Sequence, residues 1–279
     1  MSISYDLHAH STASDGTLNP SELMQMACDA GVQVMALTDH DSTEGVAEAA
    51  AKAAELNLGF VSGVEISVTW NAQTVHIVGL GVDPNNAVLQ QGLAGLLEFR
   101  DWRAEEIGRK LEKSGIPGAY QGAKELSNGR LISRTHFARF LVDNGHAEDV
   151  RKVFKHFLVN GKPGFVSGQW AELRDVVAWI KGAGGQAVIA HPARYKMTRS
   201  KLRKLIAEFK DAGGEALEVV SGSHSKDDYF TMAAHAKAFD LSASAGSDFH
   251  DPALPWIVLG RMPELPHGCR PIWHDWPSP

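Results

Sequence analysis

Cysteine is scarce in this 279-residue chain. Only Cys28, inside a helical pattern, and Cys269, near the end, occur. Two thiols cannot form a disulfide framework, and as free thiols they fit a reducing cytoplasm. Long apolar runs are missing too: every hydrophobic stretch is broken by polar residues or glycine, short of the roughly 20 residues that a membrane-spanning helix needs. The N-terminus carries no basic segment followed by an apolar one, so no secretory leader is expected. Positive charge is not in excess. A net charge of -6 argues against a general polyanion-binding surface. A serine nucleophile also lacks its context, because neither "VSGSHS" nor "SASAGS" forms a nucleophile elbow. "GAGGQA" sits where a helix-to-strand turn is expected, which makes it a turn and not a phosphate loop. No protein partner is readable.

What is present suits a globular chain with a large core, at 44% hydrophobic and 22% charged residues. The charge is unevenly spread. Pro84 to Pro163 holds 13 Lys/Arg against 9 Asp/Glu, whereas the remainder holds 14 against 24. A basic segment therefore sits beside an acidic body, as ordinary surface variation or as a phosphate-attracting cap next to a carboxylate-rich site. Strands and helices alternate on both sides of that segment. "ISYDLHAH" reads as a strand, and "NPSELMQMACDAG" as a helix with Asn19 as N-cap, Pro20 in its first turn and Gly31 at its end. "VQVMALTDHD" is a strand, and "STEGVAEAAAKAAELN" a helix capped by Ser42 or Thr43. "LGFVSGVEISVTW" and "TVHIVGLGVD" form a hairpin. Residues 84–165 carry three helical patterns with glycine stops and no convincing strand. Three helix-strand pairs follow, ending in "QAVIAHP", "EALEVVSG" and "LSASAGSDFH". About seven strands separated by helices predict an α/β barrel or doubly wound sheet. The expected division is 1–83 and 166–279 for the barrel, with 84–165 as a helical insertion. The Pro- and Trp-rich tail either packs over the barrel or hangs loose.

Polar residues fall where such a barrel builds its site. The first strand ends in His8 and His10, two residues apart and so on one face. The second ends in Asp39, His40 and Asp41, the third carries Glu65, and its hairpin partner carries His76. Later strands end in His191, and in Asp248 and His250. The C-terminal ends of barrel strands converge on one mouth. Six of the thirteen histidines would meet there. His76 between Val75 and Ile77 also fits a satisfied core histidine. Glu65 between Val64 and Ile66 would be a costly buried charge unless paired, and Asp248 faces the same penalty. Divalent metals among these side chains would relieve both the repulsion and the desolvation.

The segments "DLHAHSTASDG", "ALTDHDSTEG", "GVEIS", "AHPARY" and "SDFH" resemble, in order, the motifs of the polymerase and histidinol phosphatase (PHP) superfamily. That resemblance implies a distorted (β/α)7 PHP barrel holding two to three divalent metal ions: Mn2+ first, with Zn2+ or Fe2+ as alternatives. Carried onto this sequence, His8, His10, Glu65 and Asp248 would hold one metal. Asp15, His40 and His250 would hold a second, and Glu65, His76 and His191 a third. Some members have histidine at the place of Asp15, so the second site here is more oxygen-rich, which leans toward Mn2+. Asp6, Asp39 and Asp41 could orient the histidines. Glu65, Asp248 and His191 are the candidate catalytic residues.

Clustered metals suit phosphate-ester hydrolysis, because a bridging water becomes the nucleophile and phosphoryl charge is neutralised. For substrate binding the candidates are Arg134 and His136, just ahead of the apolar helix "FARFLV", and Arg194 and Tyr195, just after His191, with Lys162 in "NGKPGFV". Arg130 and Arg139 are further cations of the insertion. "SRTHFARFLV" and "AHPARYKMTR" resemble the branch that converts 3',5'-nucleoside bisphosphates such as pAp to nucleoside 5'-monophosphates. That branch also contains a 5'-to-3' exoribonuclease, RNase AM. The expected partner is then a small phosphorylated nucleotide or short single-stranded RNA. The alternatives are a histidinol-phosphate or other small phosphomonoesterase, and a non-catalytic metal-binding module. If Glu65 serves two ions, Glu65→Ala should lower the metal content measured by elemental analysis and cut turnover by orders of magnitude. Near-normal activity would contradict that role.

Overall fold

The computed structural model describes residues 4–127, 131–254 and 257–276. Arg130 lies outside them. A short strand β1 (Tyr5–Asp6) leads into helix α1 (Pro20–Asp29). Asn19 caps α1 by accepting from the Glu22 amide, while Glu22 accepts from the Asn19 amide, and Pro20 needs no partner at the first position. Gly31 ends the helix at φ 83°, a conformation that costs glycine nothing.

Strand β2 (Val34–Leu37) precedes α2 (Val46–Leu56). Here the expected cap is corrected: neither Ser42 nor Thr43 caps the helix. Ser42 Oγ accepts from the Glu44 amide in a turn ahead of it, and Gly45 is the N-cap residue, with no side-chain bond. A Cβ at Gly45 would come within 2.9 Å of Leu37 Cδ2, so the close approach of this turn to β2 requires glycine.

Strands β3 (Gly59–Trp70) and β4 (Gln73–Leu80) form the expected hairpin, turning through Asn71 and Ala72, both at positive φ. After the helical segment come α7 (Leu173–Gly182), β5 (Gln186–Ile189), α8 (Arg199–Asp211), β6 (Ala216–Ser221), α9 (Lys226–Ala238) and β7 (Ser242–Gly246). The seven strands lie in sequence order, β4 antiparallel to both neighbours and the others parallel. A Leu7 amide to Ala245 carbonyl bond of 3.0 Å and an Ala9–Phe249 bridge bring the ends of the sheet together. The result is a nearly closed seven-stranded α/β barrel. The tail packs at its N-terminal end, where Trp273 stacks on Tyr5 with ring centroids 4.3 Å apart. Both cysteines are free, and no helix among the described residues is long and apolar enough to cross a membrane.

Residues 84–165 hold more helix than expected. To α3 (Ala87–Lys113), α5 (Arg134–Asp143) and α6 (Val150–Val153) the structure adds α4 (Ala119–Leu126), and α6 passes into a π-helical turn, Phe154–Leu158. Helix α4 escapes detection because its Gly122 looks like a breaker. In the fold that glycine seats the Phe140 ring, whose Cδ2 lies 2.0 Å from where a Cβ would stand. Helix α3 is shared between two cores. Leu89, Leu93 and Leu96 pack with the barrel, whereas Ala104, Ile107 and Leu111 pack with Phe137, Leu141, Val153 and Leu158.

His136 replaces the usual glutamate in the capping box of α5: its Nδ1 accepts from the Ser133 amide at 3.1 Å. Burial, against the pull of Asp15, lowers its pKa to about 4, so it caps as a neutral acceptor. An unfolded histidine takes up its proton near ~6.5, so the folded chain loses stability as pH falls from there through about 4. His136→Gln keeps the acceptor without the titration. Its stability should therefore fall less than the wild type's between pH 7 and 5, by on the order of 1–2 kcal/mol in denaturant unfolding.

Candidate metal centre at the barrel mouth

The strand ends place the polar residues together. His8 and His10 leave β1 on one face, their Nε2 atoms 3.1 Å apart, while Leu7 and Ala9 go into the core. The same stretch is stitched to the end of β7, with the Asp248 amide donating to the His8 carbonyl (2.8 Å) and the His10 amide to that of Phe249 (2.9 Å). His40 bridges to Glu65 beside it. Because β4 runs against the other strands, His76, near its start, reaches the same mouth. His191 and Asp248 lie just beyond β5 and β7 at φ 29° and 57°, in the left-handed region that non-glycine residues adopt at a cost.

Glu65 is fully buried at the centre. Its Oε2 lies 3.4, 3.3 and 2.9 Å from nitrogens of His8, His10 and His40, and its Oε1 2.9 Å from those of His76 and His191. Asp248 Oδ1 lies 3.6, 3.4 and 3.6 Å from His8, His10 and His250, and Asp15 Oδ1 lies 3.3 Å from His250. All nine ligand candidates fall into three adjoining groups: His10, Asp15, His40 and His250; His8, Glu65, His191 and Asp248; and His40, Glu65 and His76. Beside the sets implied by the resemblance, His10 also stands with the second group, stacked on His250 at 4.1 Å, while its Nε2 lies 3.1, 3.3 and 3.4 Å from His8, Glu65 and Asp248; His191 also stands with the first, and shares Glu65 Oε1 with His76.

These residues fit divalent ions. Two atoms bound to one ion at ~2.1 Å and at angles of 90–109° lie roughly 3.0–3.4 Å apart, close to the 2.9–3.6 Å separations around Glu65 and Asp248. Asp15 Oδ1, His40 Nδ1, Glu65 Oε2 and His191 Nδ1 are buried without a hydrogen bond, although Glu65 Oε2 and His40 Nδ1 are 2.9 Å apart. They are close but not aligned as donor and acceptor, as ligands aimed at a third body are. The electrostatics agree. Burial opposes ionisation at every group, yet Glu65, Asp15 and Asp248 stay well below the usual carboxylate range because imidazoles surround them. Against burial, Glu218, Glu65 and Asp248 hold His8 well above its ordinary value, and Asp248 and Glu65 lift His10 to about 9. Burial lowers His40 to about 4. The carboxylates thus draw in positive charge, which protons supply in part.

Further side chains fix the ligands. Glu218, between Leu217 and Val219 on β6, accepts from His8 Nδ1 (2.9 Å) and from the His191 amide (2.5 Å). One carboxylate thereby turns His8 Nε2 toward the mouth and supports the strained backbone of His191. Asp39 accepts from Ser11 and Ser14 and shapes the loop to Asp15. Asp6 accepts from the Ser247 amide. Asp41 accepts from the Ser67 amide (2.7 Å) and from Arg100 Nε (2.6 Å), so α3 is tied to the residues after His40 and Glu65. Helix α5 is tied in likewise: Ser133 Oγ donates to Asp15 Oδ2 (2.9 Å), and Arg139 to the Asp15 carbonyl.

The expected substrate-binding residues divide. Arg134 and Arg194 line the cavity beside the ligands. Arg194, half-exposed, donates to Asp248 Oδ2 at 2.6 Å. Three others do not line it. His136 is spent on capping α5, Tyr195 Oη accepts from the His76 amide at 2.7 Å, and Lys162 is exposed in the turn after the π-helical segment. The cavity wall adds Ser133, Arg100, Arg103, Phe154 and Trp170, which the sequence reading missed as site residues. A signal for the arginines existed: Arg100 and Arg103 continue the buried stripe Leu89, Leu93, Leu96, Ala104, Ile107 of α3, where a cation is out of place.

A nearly closed α/β barrel with three adjoining His/Asp/Glu groups at its mouth defines a metal-site barrel. The chain belongs to the PHP domain family, which matches residues 6–222. It is 52% identical over 97% of its length to a 3',5'-nucleoside bisphosphate phosphatase of Chromobacterium violaceum, covering 95% of that protein. It is 43% identical over 99% of its length to the 5'-3' exoribonuclease Rnm of Escherichia coli, covering 94% of it. A solved structure from Chromobacterium violaceum, described as an amidohydrolase with bound sulfate and no metal, superposes with a TM-score of 0.95 at 51% identity, over 98% of this chain and 95% of that one.

The double contact of Glu218 predicts that Glu218→Ala weakens metal binding by about 10- to 100-fold, read by titration with Mn2+, while the far-ultraviolet spectrum stays unchanged.

Proposed function

We propose that this chain is a metal-dependent phosphoesterase that removes the 3'-phosphate of 3',5'-nucleoside bisphosphates, pAp to AMP, and removes nucleotides from the 5' end of short 5'-phosphorylated RNA. The observation that carries this reading is a single cavity lined on one side by His40, His76, Asp15, Asp248 and His250 and on the other by Arg100, Arg103 and Arg134. The names of the relatives supply its two activities. One bond unites them: in both substrates the link broken is that between phosphorus and O3' of the first nucleotide, whose 5'-phosphate stays attached. A site that holds a terminal 5'-phosphate and hydrolyses at O3' performs either reaction, whether the group beyond the phosphorus is oxygen alone or further RNA.

His8, His10, Asp15, His40, Glu65, His76, His191, Asp248 and His250 would hold two to three divalent ions, with Mn2+ favoured by the oxygen ligands of Asp15 and Asp248. Such ions supply a water-derived nucleophile at neutral pH and neutralise charge on the phosphoryl oxygens. The chain's own residues do the rest. Glu218 keeps His8 in the tautomer with Nε2 free, and Asp41 and Asp39 fix the loops after β2 and β1. Arg194, anchored on Asp248, adds a cation at the reacting phosphate. Arg134 and the α5 N-terminus stand opposite to receive the second phosphate. Residues 84–165 act in this reading as a substrate cap on the barrel formed by 1–83 and 166–279.

Steady-state kinetics with Mn2+ on pAp, a 5'-phosphorylated oligoribonucleotide and histidinol phosphate test the proposal. Turnover of the first two well above the third is expected, and a clear preference for histidinol phosphate would overturn it. Binding of metal without hydrolysis of any phosphoester would make the barrel a non-catalytic module. Arg134→Ala should raise KM for pAp by about tenfold and leave that for a 3'-monophosphate nearly unchanged.

A further inference from the structure

The net charge of -6 conceals one strongly basic stretch outside the cap. From Arg194 to Lys204, eleven residues hold six lysines and arginines and no acid. The stretch begins three residues after His191, runs through the loop that follows β5 and enters α8. Three of the six have work in the fold. Arg194 pairs with Asp248, Arg203 lies over the Phe239 ring, 4.9 Å from its centroid, and Lys204 reaches Glu208 at 3.7 Å. Lys196, Arg199 and Lys201 are exposed, and their side chains make no hydrogen bond or ion pair among the described residues.

Local stability does not account for these three. Arg199 and Lys201 stand in the first turn of α8, where the positive end of the helix disfavours cations and acids are the usual residents. The field of the stretch is felt by a neighbour: burial, then Arg203 and Arg199, hold the His235 imidazole below its ordinary value. Nor can α8 lay an apolar face on a lipid surface, since Leu202, Leu205, Ile206 and Phe209 are buried in the barrel core.

Position gives the cations a use. The cap is bonded to the mouth at Asp15, Asp41 and Ser67, that is after β1, after β2 and on β3. Among the described residues no hydrogen bond or ion pair joins it to the loops after β5, β6 and β7, and Arg194 is half-exposed on that open rim. Of the acids after β6 and β7, Asp228 is bonded to Ser225 and Asp251 to the Ala253 amide, which leaves Asp227, next to Lys226. In the reaction proposed above the first nucleotide faces the cap, and the scissile phosphorus stays with the remaining RNA. The body of the strand then leaves by the open rim, and the free cations lie on that way out.

We infer that Lys196, Arg199 and Lys201 form a track for the phosphates of single-stranded RNA beyond the first nucleotide, so that this outer face sets how well a long 5'-phosphorylated strand is held. The inference rests on the proposed function for the direction of the strand. Such a track reads charge and not sequence, and its strength falls with salt.

The test compares the full wild-type chain with the triple variant Lys196→Gln/Arg199→Gln/Lys201→Gln. Thr198 stays as the cap of α8, and loss of cations from its first turn should leave the melting temperature equal or slightly higher. With Mn2+, kcat/KM is measured on pAp and on 5'-phosphorylated oligoribonucleotides of increasing length. The value for pAp, which has no phosphate beyond its 3' one, should change by less than about twofold, while the longer strands lose about tenfold or more at low salt. Separately, the Mn2+-loaded protein binds a fluorescent single-stranded oligoribonucleotide about ten nucleotides long, its first linkage a slowly cleaved phosphorothioate, and anisotropy is followed across a salt series. The slope of log Kd against log salt should be shallower by about 2 in the variant, because each phosphate contact of a single strand contributes ~0.7. Equal losses on pAp and RNA, or RNA binding with an unchanged salt slope, would overturn the track. If the wild type hydrolyses neither pAp nor RNA but the variant still loses the salt-dependent binding, the proposed function fails and the track stands.

Discussion

The mouth of this barrel is organised by one buried carboxylate. Glu65 meets five imidazoles that come from four separate stretches: after β1, where two of them lie, after β2, on β4 and after β5. In a fully buried setting its charge is tolerable only because so much potential positive charge faces it. The same holds in reverse for the imidazoles, which crowd one another at ring distances of 4.5 to 5.7 Å. Each group makes the others affordable, and the surrounding carboxylates Glu218, Asp39 and Asp41 hold the geometry by bonding to ligands and to the backbone beside them. The strained backbone at His191 and Asp248 is a cost of the same arrangement.

The second organising element is α3. A helix of 27 residues crosses from one hydrophobic core to another, and at the crossing it cannot be apolar, because there it borders a polar cavity. Two arginines occupy that stretch. Trp170 lies under both guanidinium groups, 5.0 and 5.3 Å away, so their stems and planes are buried without placing charge against aliphatic carbon. One arginine joins the cap to the metal-ligand loops. The other contributes field to the cavity. The basic surplus counted for residues 84–165 thus resolves into a few buried cations at one wall and many solvated ones elsewhere.

Much of this was legible in the residues themselves, and the exceptions have physical reasons. The seven strands, the hairpin and the alternation were readable because apolar runs of period two and stripes of helical spacing are strong signals. Eight of the nine candidate ligands were readable because they lie at the polar end of an apolar strand or, like Glu65 and His76, inside one; Asp15, in the loop after β1, came only from the family resemblance. The sharing of candidate ligands between groups was not readable, because it depends on side-chain rotamers: the His10 ring stacks on His250 while its Nε2 stays 3.1 Å from that of His8. Glu218 had the same apolar neighbours as Glu65 and went unnoticed only because no motif drew attention to it. Arg100 and Arg103 were hidden by helix periodicity, which had to be read for what interrupts it. Helix α4 was missed because a glycine that serves packing looks like a glycine that serves a turn. Lys162 and His136 show the opposite error, since neighbourhood in sequence did not bring the first to the cavity and gave the second to a helix cap.

The seam between β7 and β1 has a consequence for how the protein is made. His8 and His10 reach their partners Asp248 and His250 across some 240 residues of chain, and Gly246 lies so close to His8 that a Cβ there would sit 2.3 Å from its own. Contacts of such sequence separation form late, after the cost of closing a long loop has been met. During synthesis the first ligands are exposed long before the last exist, so a partly made chain has no complete hydrolytic centre. The active site is also the final stitch of the barrel, and a potentially destructive activity is withheld until the fold that contains it has closed.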